Sequence, residues 1–255
     1  MLLRSSTSRP QWIFLAAQCS TRRLSSTASL NAHQLSAIHC SSQREPISLR
    51  LMPLGGSVTY GVGSSDGNGY RKFLYDLLVA NGYCVSMVGS RKSGCMDDNN
   101  HEGWRGYRLD QIELKARRSL TILSPNLFMI NAGSNDCLQN HELDMFGQRM
   151  DRMAEYLWLT SPPSTVVLST LLVNADEEVN ERVLRVNSKL RHLAVLKASQ
   201  GKKIVLAEMN NNEGPQLSDL VDGTHPNDVG YQGMANIWFD AIQKARASGF
   251  LENKR

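Results

Sequence analysis

Cysteine is scarce in this chain of 255 residues, which contains five. Two lie in the first 44 residues, and the other three are Cys84, Cys95 and Cys137. Three thiols cannot all pair with one another and no C-x-x-C spacing occurs, so no disulfide framework is indicated. A single disulfide that involves Cys95, which would suit a secreted protein, and buried free thiols both remain open.

Long apolar runs and common metal motifs are also missing. No stretch of 18 apolar residues occurs, so the sequence offers no candidate for a membrane-spanning helix. Neither His101-Glu102 nor His141-Glu142 extends to the H-E-x-x-H spacing of a zinc site. We therefore expect neither a membrane span nor a metal or other cofactor.

Acidic residues are absent from residues 1–44, which carry five arginines: Arg4, Arg9, Arg22, Arg23 and Arg44. The rest of the chain has 23 basic and 24 acidic residues, so the net charge of +4 belongs to this leader. The remainder shows no basic footprint for nucleic acid.

The leader is rich in Ser and Thr and shows no folding pattern. It resembles a mitochondrial presequence with a processing region near residues 22–25, which we favour over a secretory signal built on the short apolar stretch 12–17. A disordered tail is the third interpretation. Residues 1–44 are therefore predicted to be a targeting or disordered leader, and residues 45–255 a single domain.

The domain alternates short apolar strands with amphipathic helices. Strands are predicted at 47–54, 85–88, 127–130, 166–171 and 204–207, and helices around 70–78, 109–120, 146–157, 179–193 and 231–245. Residues 89–103 are rich in Gly and Asn and are predicted to be a loop. Continuously apolar strands that alternate with helices indicate a parallel sheet covered on both faces, a three-layer α/β/α domain.

Ser57 follows the first predicted strand, and Asp222-Gly-Thr-His225 follows the last. A serine, a histidine and a carboxylate are the nucleophile, base and orienting group that a serine hydrolase needs. The carboxyl ends of parallel strands meet at one edge of a sheet, so we expect these residues to lie together. The alternative is that Asp222 closes an Asx turn and Asn227 caps the last helix.

Two further positions between them could stabilise an oxyanion. Asn135 follows the third predicted strand and could donate from its side-chain amide, together with the backbone amides of Ser57 and Gly106. Gly106 lies in the loop that leads from the second strand, and without a side chain it allows a close approach. Ser65 fits G-x-S-x-G formally, but it comes well after the strand ends and is not expected to be the nucleophile.

The chain resembles the SGNH (GDSL-type) hydrolase family at Gly56-Ser57, Gly106, Gly133-Ser-Asn135-Asp136 and Asp222-x-x-His225, in that order. The stretches 87–90, 100–103 and 110–112 are similar to those of its acetylxylan-esterase-like (carbohydrate esterase) branch. The resemblance implies a flavodoxin-like fold with a five-stranded parallel sheet in the order 2-1-3-4-5. It also implies Ser57 as nucleophile, His225 as base, Asp222 as its partner, and Ser57, Gly106 and Asn135 as the oxyanion hole.

The sequence departs from the family pattern at two places. Gly56 stands where the family usually has Asp, a residue that supports the loop, and Trp104-Arg105 replace a more frequent small residue before Gly106.

We therefore predict a monomeric serine esterase that acts on small acyl groups, acetyl foremost, of small-molecule or carbohydrate esters. The alternatives are a thioesterase or lysophospholipase-like enzyme and a non-catalytic binding module that kept the fold.

Overall fold

The computed structural model describes residues 46–252. The predicted leader, residues 1–44, lies outside the described residues, and its role in targeting stays a prediction.

The described residues contain seven strands and seven α-helices. The strands are β1 (Ile47–Gly55), β2 (Tyr83–Met87), β3 (Arg91–Lys92), β4 (Asn100–Gly103), β5 (Leu127–Asn131), β6 (Thr165–Ser169) and β7 (Ile204–Ala207). The helices are α1 (Ser57–Tyr60), α2 (Tyr70–Ala80), α3 (Leu109–Ser119), α4 (Ser134–Leu138), α5 (Phe146–Thr160), α6 (Glu177–Ser199) and α7 (Asp228–Ala247).

Five strands form the main sheet in the order β2-β1-β5-β6-β7, all parallel. This is the predicted order, and the α/β class with its mostly parallel sheet is confirmed. Every residue of β5 and β6 is buried, which explains why both strands appear in the sequence as continuous apolar runs.

The predicted strand count and the predicted loop at 89–103 were wrong. After β2 ends beside Leu51, β4 takes its place and pairs in parallel with Leu54 and Gly55 at the end of β1. The two-residue β3 pairs antiparallel with β4, so the sheet has seven strands and is mixed. The apolar pattern could not reveal β4, because its buried residues include His101 and Glu102, both fully buried.

Two apolar cores cover the two faces of the sheet. Alternate residues of β1, such as Met52 and Leu54, pack with α3, α5 and α6, whereas Leu49 and Leu51 pack with α2 and α7. This alternation follows from the two-residue period of a strand and produces the three layers. Among residues 46–252, no helix is long and apolar enough to cross a membrane.

The three cysteines of the domain are free thiols. Cys84 and Cys95 are exposed and only Cys137 is buried, so neither the disulfide nor the general burial of the thiols is found. Cys84 lies on β2 at a position that alternates with the buried Tyr83, which explains its exposure.

Candidate active site

Ser57 lies where β1 ends and is the first residue of α1. Its Oγ atom lies 2.7 Å from Nε2 of His225, although 168 residues separate the two in sequence. The predicted meeting of these distant loops is therefore found in the structure.

Asp222 contacts His225 in two ways. Its Oδ2 atom lies 2.7 Å from Nδ1 of the imidazole. Its Oδ1 atom accepts hydrogen bonds from the backbone amides of Thr224 and His225, at 3.0 and 2.8 Å. Asn227 caps α7 by accepting from the Gly230 amide. The turn and the cap that formed the alternative interpretation are thus present together with the Ser57–His225–Asp222 chain.

The loop that carries these residues is closed at its base. Leu220 and Pro226 form an antiparallel bridge, and the Val221 amide donates to the His225 carbonyl at 2.8 Å. The imidazole has only 18% of its side chain exposed, whereas the Asp222 carboxylate has 51%. The imidazole is therefore held against Ser57, while the Asp222 carboxylate remains in contact with solvent.

The carboxylate is held in its charged form. Partial burial by itself would raise the pKa of Asp222, but the hydrogen bonds from the His225 ring and the two backbone amides outweigh it and lower the pKa. An ionised Asp222 favours the tautomer in which Nδ1 carries the proton and Nε2 accepts from the Ser57 hydroxyl.

Asn135 lies in α4, directly after β5, and lines the same small pocket as Ser57. Its Nδ2 atom donates to the Tyr107 carbonyl at 3.0 Å, which fixes the orientation of the amide and leaves one N–H free. The Ser57 amide, at the start of α1, has no acceptor among residues 46–252. Both groups can donate to an anion that forms beside Ser57.

Gly106 follows β4 rather than β2, which corrects its predicted place. It is the third residue of a tight turn in which the Tyr107 amide donates to the Trp104 carbonyl at 3.3 Å. Its φ of +76° is the left-handed conformation that a type II turn requires at this position. Gly106 itself is exposed, and the next residue, Tyr107, lines the pocket.

Gly56 leaves room for a side chain. A Cβ atom at this position would lie 3.5 Å from Nδ2 of Asn135, which is ordinary van der Waals contact. The Asp-to-Gly departure therefore removes a group beside the predicted oxyanion donor without collapsing the turn.

Arg71, which the sequence did not single out, connects α1 to the loops around it. It is fully buried and donates to five main-chain carbonyls, those of Thr59, Tyr60, Gly67, Ser93 and Asn99. Burial lowers the pKa of its guanidinium, although neighbouring tyrosines oppose the shift. Two of the carbonyls belong to α1, so Arg71 connects the helix of the candidate nucleophile to the surrounding loops.

His101 supports the same helix from β4. Burial, together with Arg71 and Arg91, lowers the pKa of His101 to about 3, so its ring is neutral. Nδ1 accepts from the Gly103 amide at 2.9 Å, which leaves Nε2 to donate to Ser93 Oγ at 2.8 Å. Ser93 donates in turn to the Tyr60 carbonyl. No sequence motif indicated this network, because its members come from three separate segments.

The other candidates do not join the site. Ser65 is exposed in the loop after α1, and its backbone amide donates to Asp228. Within the described part of the chain, no group of three His, Cys, Asp or Glu side chains could hold a metal ion.

Known proteins are similar to this chain in sequence. The model of the GDSL-like lipase/acylhydrolase family matches residues 54–232, which is more than half of the chain. A multidomain esterase of Ruminococcus flavefaciens is 26% identical over 224 residues, a match that covers 76% of this chain. The chain spans only 28% of the length of that esterase.

Solved structures agree on the fold. The family 3 carbohydrate esterase of Clostridium thermocellum superposes with a TM-score of 0.70 at 27% identity, over 79% of this chain and 98% of that one. A family 3 carbohydrate esterase of Talaromyces cellulolyticus, at 19% identity, has a TM-score of 0.68 over 78% and 99% of the two chains. From the extent of the family match, this chain belongs to the GDSL-like lipase/acylhydrolase family.

Proposed function

We propose that this protein is a serine-dependent carboxylic ester hydrolase that removes small acyl groups, acetyl foremost, from carbohydrate or small-molecule alcohols. The observation that carries the proposal is the Ser57–His225–Asp222 chain, in which two contacts of 2.7 Å join a hydroxyl, an imidazole and a carboxylate. The carbohydrate esterases of similar fold support an ester substrate of this kind.

The proposed reaction uses the contacts among Ser57, His225 and Asp222. Ser57 Oγ attacks the ester carbonyl carbon while His225 Nε2 takes the hydroxyl proton, and Asp222 stabilises the imidazolium. The tetrahedral intermediate collapses, its C–O bond to the alcohol breaks, and the imidazolium proton passes to the leaving alcohol. Water, deprotonated by His225, then attacks the acyl-enzyme and releases the acid and Ser57.

The oxyanion of each tetrahedral intermediate would accept from three donors: the free N–H of Asn135, the Ser57 amide and the Gly106 amide. The first is oriented by the Tyr107 carbonyl and needs no rearrangement before it donates. The third donor is the backbone N–H of Gly106, which lies in the exposed turn after β4.

The pocket beside Ser57 is small and partly open to solvent, which favours a short acyl group over a long one. Its walls include Gly56, Val58 and Gly133.

An Asn135→Ala variant is expected to lose about 10²–10³-fold in kcat, with KM changed much less, because the amide acts mainly on the developing oxyanion. The measurement is steady-state hydrolysis of an aryl acetate. The exposed Asn212→Ala serves as control and is expected to match the wild type. An Asn135→Ala enzyme with wild-type kcat would remove this residue from the oxyanion hole.

A substrate panel separates the proposal from its alternatives. We expect acetyl esters to be hydrolysed with a kcat/KM at least about tenfold above that for octanoyl esters, because the small pocket beside Ser57 has no room for a long acyl chain. A preference for long chains or thioesters would instead support a lysophospholipase-like enzyme or a thioesterase.

A fluorophosphonate probe should label Ser57, and a chain that is folded but not labelled would be a binding module.

A further inference from the structure

Three aromatic rings and three cationic side chains lie close together around Trp104. The rings are those of Tyr60, Trp104 and Tyr107, and the cations are Arg91, Arg105 and Lys115. We call these six residues the cationic platform. They come from α1, β3, the turn after β4 and α3, so only the fold brings them together.

Trp104 lies at the centre of the platform. Its ring centroid is 5.4 Å from that of Tyr107, with an angle of 31° between the planes. Lys115 Nζ lies 4.2 Å from the Trp104 centroid, and Arg91 Cζ lies 4.6 Å from it. Arg105 Cζ lies 5.7 Å from the centroid of Tyr60. These distances are within the range of cation–π attraction.

The platform adjoins the proposed nucleophile. Tyr60 is the last residue of the four-residue helix that Ser57 begins. The Trp104 amide donates to the carbonyl of Gly55, two residues before Ser57, at 2.9 Å. Tyr107 lines the same pocket as Ser57. A substrate bound at Ser57 would therefore extend over the platform.

The three cations are not neutralised by carboxylates. None of them has an ion-pair partner among residues 46–252, whereas Arg149, Arg191 and Lys197 elsewhere in the domain all do. Glu102 accepts hydrogen bonds from Trp104 Nε1 and from two serines, Ser90 and Ser119, and forms no ion pair with any of the three cations. Three close positive charges repel one another, and a bound anion would relieve this.

We propose that the cationic platform binds an anionic oxygen group, carboxylate or phosphate, on the alcohol part of the substrate. The proposal rests on the proposed esterase function and adds a substrate class to it. The pocket beside Ser57 is small, so a substituent that reaches the platform belongs to the larger, alcohol part of the ester. The aromatic rings supply a flat apolar surface for a sugar or aryl ring of the substrate, and the cations favour a substrate that carries a negative charge.

Matched aryl acetates test the proposal. The three substrates are 4-acetoxybenzoate, 4-acetoxyphenyl phosphate and the neutral methyl 4-acetoxybenzoate, compared as ratios of kcat/KM. In Lys115→Gln and Arg105→Gln, we expect the preference for an anionic over the neutral ester to fall about three- to tenfold, the size expected for a partly exposed charge contact. In the wild type, the preference should also weaken at about 1 M salt, where charges are screened beyond about 3 Å.

Arg246→Gln is the matched control. Arg246 also lies over an aromatic ring, 5.3 Å from the Tyr83 centroid, and its loss removes the same charge. It lies in the last turn of α7, about 27 Å along the helix from the residues that follow His225, at about 1.5 Å per residue. This variant is expected to keep the wild-type ratio.

Binding without turnover separates this proposal from the esterase function. In the full chain carrying Ser57→Ala, calorimetry with 4-hydroxybenzoate and 4-hydroxyphenyl phosphate should show binding that a second substitution, Lys115→Gln or Arg105→Gln, weakens. Binding of one anion alone identifies the carboxylate or the phosphate as the ligand. Binding without hydrolysis of any acetate by the wild type would support the platform and overturn the esterase function. Unchanged ratios in both variants, or no binding of either anion, would overturn the platform.

Discussion

A Ser57→Ala variant is expected to lose about 10⁴- to 10⁶-fold in kcat/KM for acetyl esters. The change removes the hydroxyl that His225 contacts at 2.7 Å, and with it the proposed acyl-enzyme route. Asn135 and the pocket remain, so a small residual rate above the uncatalysed reaction should persist. Hydrolysis of an aryl acetate measures the loss, and unchanged thermal unfolding shows that the fold is intact.

Ser65→Ala is the control for this experiment. Ser65 lies in the G-x-S-x-G match, is exposed, and is expected to be dispensable. If Ser65→Ala lost activity while Ser57→Ala kept it, the proposed mechanism would be wrong, because of these two serines it is Ser57 that His225 contacts.

An Arg71→Leu variant is expected to lower the free energy of unfolding by about 3–5 kcal/mol. The guanidinium is fully buried, and its loss would leave carbonyls of α1, of the following loop and of the β2–β4 segment without donors. Urea denaturation of the full chain measures the change. Since Thr59 and Tyr60 belong to the helix that begins at Ser57, kcat should fall as well.

Lys72→Leu provides the comparison on the same helix. Lys72 is the next residue, its side chain is 43% exposed, and it pairs with Asp76 one turn away. Its loss should change the free energy of unfolding by less than about 0.5 kcal/mol. Equal stability of the two variants would show that Arg71 does not hold the loops together.

The pattern of apolar residues predicted those strands and helices that are stabilised mainly by burial of apolar side chains. The strand at 204–207 was predicted with its observed bounds, and the predicted end of β5 differs from the observed one by a single residue. Both strands could be predicted closely because they are continuous apolar runs. The strand β4 escaped prediction because it buries His101 and Glu102, which are stabilised by hydrogen bonds to distant residues rather than by their own hydrophobicity.

The candidate site divides in the same way. Ser57, Asn135 and the Asp222–His225 pair could be predicted because each follows a strand and stands in a recognisable spacing. Arg71 could not, because a single arginine in an amphipathic helix is most often exposed and nothing in its neighbours signals burial. The cationic platform depends on contacts among four separate segments, which only the three-dimensional structure supplies.

The two oxygens of Asp222 give the C-terminal loop a particular property. One closes the backbone turn and the other orients the imidazole, so the loop cannot loosen while the base stays aligned. Under the proposed function, ester cleavage requires this loop to be ordered, so a chain with an ordered sheet but a disordered loop should not hydrolyse esters.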